Sequence, residues 1–461
     1  MSAPASPESA ATASVSAAVS EPSATTGKKR AASPEQSLAA KHNRKAGRQA
    51  AAVAAKKRRV LEAANETEYY FENGLRKVRP YKFIYHAHAK GRWLGRPLLD
   101  VFMGEFRDLT PAYYKDAIET GRITVNGAKS SVDYIVRNGD LIGHALHRVE
   151  PPVTGDPIGI VSQTDDLLVV SKPASIPVHP SGRYRHNSLL FILRREHEEF
   201  AELYPIHRLD RLTSGVLLLP RTKAKSLELQ RQLLGQELQK EYLCRVQGVF
   251  PEGEVECAEP IAVFHHKLGL NVVAKDGKPC RTVFRRVATT GRTSLVHCRP
   301  YTGRTHQIRV HLQFLGFPIA NDPLYAHPAW GPARGRGGVD EEERQRVLER
   351  FYGMQQRGTY DEEARGVIEK KKEAEEPKEK TAAEAAESFW SSPSAAVSQR
   401  PDPPPHKMCL WLHAHKYSGP AWEHVAPPPA WASEDFEDDK DIELSTIWSE
   451  LAVDLGDEGD N

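Results

Sequence analysis

Between Ile158 and Tyr325 short apolar runs follow one another without a repeating unit, and that missing rhythm constrains the fold most. Leu167-Leu168-Val169-Val170 has the pattern of a buried strand, halted by Lys172-Pro173. Ser214–Leu219, Glu241–Val246 and Ser294–Arg299 read as further strands. Lys223–Leu238 reads as a helix with Leu227, Leu233, Leu234 and Leu238 inward, and Thr305–Phe314 as another. A doubly wound sheet would alternate strand and helix regularly, and this stretch does not. The expectation is an α+β domain with a mixed, mostly antiparallel sheet.

The flanks divide the rest of the chain. Residues 1–65 are rich in Ala, Ser and Pro, then in Lys and Arg, and lack aromatics. Such a segment buries too little apolar surface to offset its ordering entropy, so it reads as a disordered basic arm. Ala-rich 48–64 can be transiently helical. Residues 66–150 read as an N-terminal extension and a small module. There Leu98, Leu99, Phe102 and Phe106 recur at helical spacing, and a second helix follows Pro111 and ends at Gly121. A strand and turn at 123–127 and a closing strand around Leu141-Ile142 complete it. Residues 151–432 form the main domain. Within it, 333–402 is rich in Gly, Lys, Glu and Ala and reads as a solvated insertion, partly helical near Glu341–Tyr352. Core-like sequence resumes at Met408 and is expected to complete the same sheet. Residues 433–461 form an acidic tail.

Composition narrows the function. Net charge is +2, from 63 basic and 61 acidic residues, but the positive charge gathers in the arm (Lys56-Lys57-Arg58-Arg59) and the negative in the tail. A basic arm suits RNA contact or nuclear import. No apolar run reaches the length of a membrane span, so no membrane partner is expected. The 5 cysteines show no CxxC pair and no H-E-x-x-H occurs, so neither a disulfide framework nor a metal site is expected. A reducing compartment follows, cytoplasm or nucleus, with mitochondria left open.

The sharpest constellation is His207-Arg208-Leu209-Asp210-Arg211-Leu212-Thr213-Ser214-Gly215. Guanidinium groups on both sides favour the ionised carboxylate of Asp210, which suits a nucleophile or a base. On residue types alone, a surface ion pair or a strand-end cap is the commoner reading. Three further blocks stand beside it: Ser171-Lys172-Pro173-Ala174, Lys240-Glu241-Tyr242-Leu243-Cys244-Arg245-Val246 and Gly303-Arg304-Thr305-His306-Gln307-Ile308-Arg309.

Together, in this order, the four blocks resemble the RluA-type pseudouridine synthases. The Tyr70–Val78 and Gly91-Arg92-Trp93 stretches resemble the family's eukaryotic branch, which is associated with uridine 32 of the tRNA anticodon loop. The resemblance implies a synthase catalytic domain; before it, the two short helices feeding a basic strand-turn unit resemble the S4-type RNA-binding module, with an ordinary N-terminal cap as the alternative. The synthase resemblance implies Asp210 as the essential aspartate, Tyr242 as the ring that stacks on a flipped uracil, and Arg309 as the cation paired with Asp210. Arg208 would fill the gap left by the flipped nucleotide. Ile308 would pack on the base, and Arg211, Lys172, Arg304 and His306 would contact RNA. Gly215, Gly303 and Gly316 read as backbone requirements. No cofactor is implied, because the reaction only moves a glycosidic bond. The implied partner is RNA, first of all tRNA, bound by a monomer. A noncatalytic RNA-binding protein with the same fold, or a synthase acting on rRNA or mRNA, are the alternatives.

Overall fold

The computed structural model describes residues 55, 57–106, 109–266, 268–357 and 402–437. Most of the basic arm, residues 358–401 of the insertion and the tail beyond 437 lie outside the described residues. Helix α1 (57–64) ends on the buried Ala64, so the arm read over 1–65 extends too far into the ordered chain.

The small module starts earlier than its sequence pattern indicated. Its sheet runs in the order β3 (Tyr81–His88), β6 (Leu141–Arg148), β4 (Ile123–Val125), β5 (Ala128–Lys129). Helix α2 (Leu98–Glu105) and helix α3 (Pro111–Glu119) cover one face. The Thr110 hydroxyl accepts the Tyr113 N–H at 3.2 Å and Pro111 takes the first turn, a pairing that starts a helix without an orphaned donor. Leu98, Val101, Phe102, Tyr114, Ala117 and Ile118 meet beneath the sheet as a separate core.

A hairpin of β1 (Tyr69–Glu72) and β2 (Leu75–Val78) joins β7 (Val153–Thr154) in a three-stranded sheet. The main sheet has nine strands among the described residues. Its path is β12 (Glu254–Cys257), β15 (Thr282–Thr289), β16 (Thr293–Pro300), β11 (Gln239–Gln247), β17 (Leu412–Gly419), β10 (Ser214–Pro220), β9 (Leu167–Lys172), β8 (Gly159–Gln163). The ninth strand, β18 (Trp422–Val425), pairs with β17. Strands β13 (Ile261–His265) and β14 (Leu270–Val273) form a separate hairpin. Only β10 and β17 run parallel among the described pairs, so the sheet is mixed and mostly antiparallel, as expected. The segment after the insertion does complete this sheet, and it does so at the centre.

Gly215 shows why the centre needs a glycine. A Cβ there, at φ +111°, would lie 2.2 Å from the Ala414 carbonyl oxygen on the parallel neighbour. Gly303 has no such need: a Cβ would meet only the Lys240 ammonium at 3.9 Å.

Two expectations are corrected. Helix α5 (Lys223–Leu234) turns Ser226 and Leu229 inward and leaves Leu227 51% and Leu234 83% exposed. The Thr222 cap, whose hydroxyl accepts the Lys225 N–H, fixes where the helix begins, and Leu238 lies beyond its end. The insertion is not solvated from 333 onward. Helix α7 (Glu341–Arg357) buries Val347 and Phe351 against Leu270, Tyr325 and Trp330 in a third core. Its apolar stripe was hidden by the charged residues that fill the other positions. Helix α4 (Leu189–Glu196) and helix α6 (Gln307–Leu315) lie against the main sheet's own core, with Leu189, Ile192, Ile308 and Leu312 buried there.

Candidate active site

Asp210 sits in a tight turn that delivers the chain into β10. Its carbonyl accepts the Thr213 N–H at 3.1 Å. Leu209 and Leu212 anchor the turn in the main core, and the Leu212 carbonyl accepts the Leu410 N–H at 2.9 Å. From beneath, Lys172 fastens it. Its ammonium donates to the carbonyl oxygens of Pro173, Ile176 and Arg211 at 2.8, 2.8 and 3.1 Å. Those three acceptors use all its protons. Lys172 is fully buried, so it is a brace under the loop and cannot reach RNA, which corrects its sequence assignment. Burial and the Arg211 cation push its pKa down to about 7.

Helix α6 supplies the counter-charge. It passes through the interior with Gln307 to Gln313 all buried. Arg309 grips Asp322 in a two-pronged pair, Nε to Oδ2 at 2.7 Å and Nη2 to Oδ1 at 2.8 Å. Asp322 is held in turn by the Leu324 and Tyr325 N–H groups at 2.9 and 3.0 Å. The guanidinium is thereby fixed, with Nη1 left to donate to Asp210 Oδ2 at 3.3 Å. Burial opposes the Arg309 charge, but Asp322 and then Asp210 more than restore it.

His306 closes the same side. It caps α6 in a left-handed conformation, φ 57°, and its side chain makes no capping bond. That conformation costs a non-glycine residue about 1 kcal/mol. Its Nε2 instead lies 3.5 Å from Asp210 Oδ2. Burial, with Arg309 next, pushes the His306 pKa down to about 4. For Asp210 burial works against the charge. His306, Arg309 and Arg208 outweigh it and hold the carboxyl below its ordinary value. Both protein contacts of the carboxylate fall on Oδ2, and Oδ1 has no protein partner among the described residues.

Tyr242 comes from the middle of the sheet. The β11–β17 register shifts between Glu241 and Tyr242, and such a bulge re-aims a side chain. Its hydroxyl pairs with that of Tyr417 on β17 at 2.7 Å. Burial, and to a lesser degree the charge of Asp210, pushes the phenol up to about 12. The ring is therefore neutral and lies within electrostatic reach of Asp210. Ile308 packs in the same core.

The structure thus brings Asp210, Arg309 and His306 into contact, with Tyr242 near enough for the Asp210 charge to act on its phenol. Arg208 is exposed at the mouth and close enough to influence Asp210, and Arg211 lies over the Tyr184 ring, 5.5 Å from its centroid. Arg304 is exposed but is committed to the Pro279 carbonyl through Nε and Nη2 at 3.1 and 3.0 Å. Sequence reasoning assigned no role to Asp322, Tyr325 or Tyr417. The Asn321-Asp322-Pro323-Leu324-Tyr325 run was visible, and an aspartate two residues before backbone donors is its one local signal. Tyr417 carries none, because its partner is distant along the chain. No cluster of His, Cys, Asp and Glu that could hold a metal occurs among the described residues.

An aspartate held below its ordinary pKa, a buried tyrosine and a fixed arginine thus stand beside the main sheet, the three residues that the sequence blocks singled out. A family model described as RNA pseudouridylate synthase matches residues 166–314, which hold Asp210, Tyr242 and Arg309. Pseudouridylate synthase RPUSD2 of Mus musculus is 44% identical over 412 residues, 81% of this chain and 74% of that one. The Homo sapiens protein of the same name is 42% identical over 467 residues, 91% and 86% of the two chains. The mitochondrial tRNA pseudouridine(32) synthase of Saccharomyces cerevisiae is 43% identical over 295 residues, 63% of each. The chain belongs to the RNA pseudouridylate synthase family. It is an isomerase that converts uridine to pseudouridine in RNA.

Proposed function

We propose that the substrate is uridine 32 of the tRNA anticodon loop and that Asp210 is the catalytic carboxylate. The observation that carries the second part is the asymmetry of Asp210: Arg309 and His306 both lie against Oδ2, while Oδ1 has no protein partner among the described residues. An ionised oxygen with an unused lone pair can attack an electrophilic carbon or take a proton. The reaction breaks the bond from N1 to C1′ and joins C1′ to C5. N1 gains a proton and C5 loses one, so the product is an isomer and no electron acceptor is needed. Reaching the base requires flipping it from its stack, which costs a few kcal/mol, and a stack on Tyr242 returns about 1–3 kcal/mol. Ile308 packs on the base, and Arg208 fills the vacated space in the RNA. The small module binds the flanking RNA as an S4-like unit.

Support for position 32 comes from similarity. The yeast tRNA pseudouridine(32) synthase is 43% identical to this chain, against 35% for the yeast tRNA pseudouridine(31) synthase. The test uses purified protein and tRNA transcripts with uridine at 31, at 32 or at neither. Pseudouridine mapped by carbodiimide stops is expected at 32. Modification at 31, or of rRNA or mRNA fragments in preference to tRNA, overturns this choice of substrate. The active species is a monomer in the cytoplasm or nucleus, to be checked by light scattering and by imaging a tagged chain.

A further inference from the structure

The His306 side chain has a stronger role available than the RNA contact implied by its motif. A chain of hydrogen bonds leads through Tyr325 to its ring and favours one tautomer. The Asn271 N–H donates to the Tyr325 hydroxyl oxygen at 3.0 Å. That hydroxyl is fully buried and lies 2.9 Å from His306 Nδ1. With that oxygen already accepting from Asn271 and its O–H given to Nδ1, Nδ1 is the acceptor nitrogen of the neutral ring. The imidazole proton is left on Nε2, which faces Asp210 Oδ2. At 3.5 Å this is a contact longer than a formed hydrogen bond, and catalytic contacts are often long before substrate fills the site.

We propose that His306 is a positioning residue for Asp210: its Nε2–H, oriented through Tyr325, and Arg309 Nη1 together hold Oδ2, so that Oδ1 is the oxygen that meets the uridine. The proposal rests on Asp210 being the catalytic carboxylate. It accounts for the left-handed backbone at 306, which gives up a helix cap to aim the ring at the site. The charged and titratable groups around the ring are Asp210, Arg309, Asp322, Arg208 and Tyr325.

Three variants test it, with folding checked by thermal unfolding. Asparagine tolerates the left-handed backbone but is too short to reach Asp210, whereas glutamine carries an N–H at about the reach of Nε2. His306→Asn should lower kcat about 100-fold with KM within about twofold, because a misplaced reacting group costs rate and not binding. His306→Gln should recover about tenfold of that loss, and Tyr325→Phe should lower kcat about tenfold by releasing the ring. The acid limb of the pH–rate profile should move to higher pH in His306→Asn, since the carboxylate loses a neighbour that favours its charge. A rise in KM at unchanged kcat would show an RNA contact and overturn the inference, as would glutamine performing no better than asparagine. Turnover retained in Asp210→Asn would instead remove the underlying reading. An inactive Asp210→Asn beside a fully active His306→Asn removes this inference alone.

Discussion

Two carboxylates in this molecule, one buried and one half-buried, are treated in opposite ways. Glu150, at the junction of the small module and the main domain, has both oxygens filled. Oε1 accepts from the Tyr81 hydroxyl at 2.6 Å and the His186 N–H at 2.9 Å. Oε2 accepts the Arg185 and Asn187 N–H groups at 2.8 and 2.9 Å. All four donors are neutral, and three of them are the backbone N–H groups of consecutive residues. Asp210 is held by side chains alone, on one oxygen, with the other left open. Full satisfaction makes a charge structural, and partial satisfaction by charged partners leaves it able to react.

The strongest challenge to that contrast is Asp210→Asn. Pseudouridine formation should fall to the detection limit while RNA affinity stays within a few-fold and the unfolding midpoint barely moves. Measured turnover near wild type would show that the open oxygen is not the reacting one. Lys172→Met comes next, because Lys172 is a saturated charge like Glu150, set under the reacting loop. Orphaning three carbonyls should cost about 3 kcal/mol in urea unfolding and reduce kcat, with RNA affinity unchanged. A selective loss of RNA binding would restore its assignment as an RNA contact.

Glu150→Gln should cost about 2 kcal/mol, because an amide cannot accept from all four donors, yet leave kcat of the folded fraction intact. A selective loss of turnover would make the junction part of the chemistry. The smallest expected effect is on pH. Burial is outweighed at Asp210, whose folded-state pKa is lowered, so its ionised form persists below the ordinary aspartate value of about 3.9. Its contribution to stability is present above the unfolded pKa and is lost as pH falls through the folded one. The pH–rate profile should therefore show no acid limb near the ordinary aspartate value. A limb there that moves in Asp210→Glu would contradict the lowered pKa.

The parts legible in the sequence were those written locally. The helix starting at Pro111, the strand at Leu167–Val170 and the loop before Gly215 each carry their signal within a few residues. Asp210 and Arg309 were readable because each lies in a dense block, although the 3.3 Å contact between them required the fold. What escaped depended on distant partners. Lys172 looked like an RNA contact because a lysine next to a proline does not show that three carbonyls surround it. His306 looked the same, since its target lies across the sheet. In α5 the leucine spacing gave the wrong face, and in α7 the charges concealed Val347 and Phe351. Tyr417, across the insertion from Tyr242, had no signal at all.

The parallel register of β17 against β10 has a consequence for how the protein is made. The strand that fills the middle of the main sheet is nearly the last piece of described chain to leave the ribosome, so β10 and β11 wait with facing edges exposed until Leu412 arrives. Vacant strand edges invite pairing with other chains, and contacts this far apart in sequence form slowly. A stop codon between Arg309 and Leu412 would release a product that has the aspartate, the arginine and the tyrosine but not the wedge that closes the sheet between them. Such fragments should be sticky and catalytically silent, and clearing them would fall to the cell's chaperones and proteases.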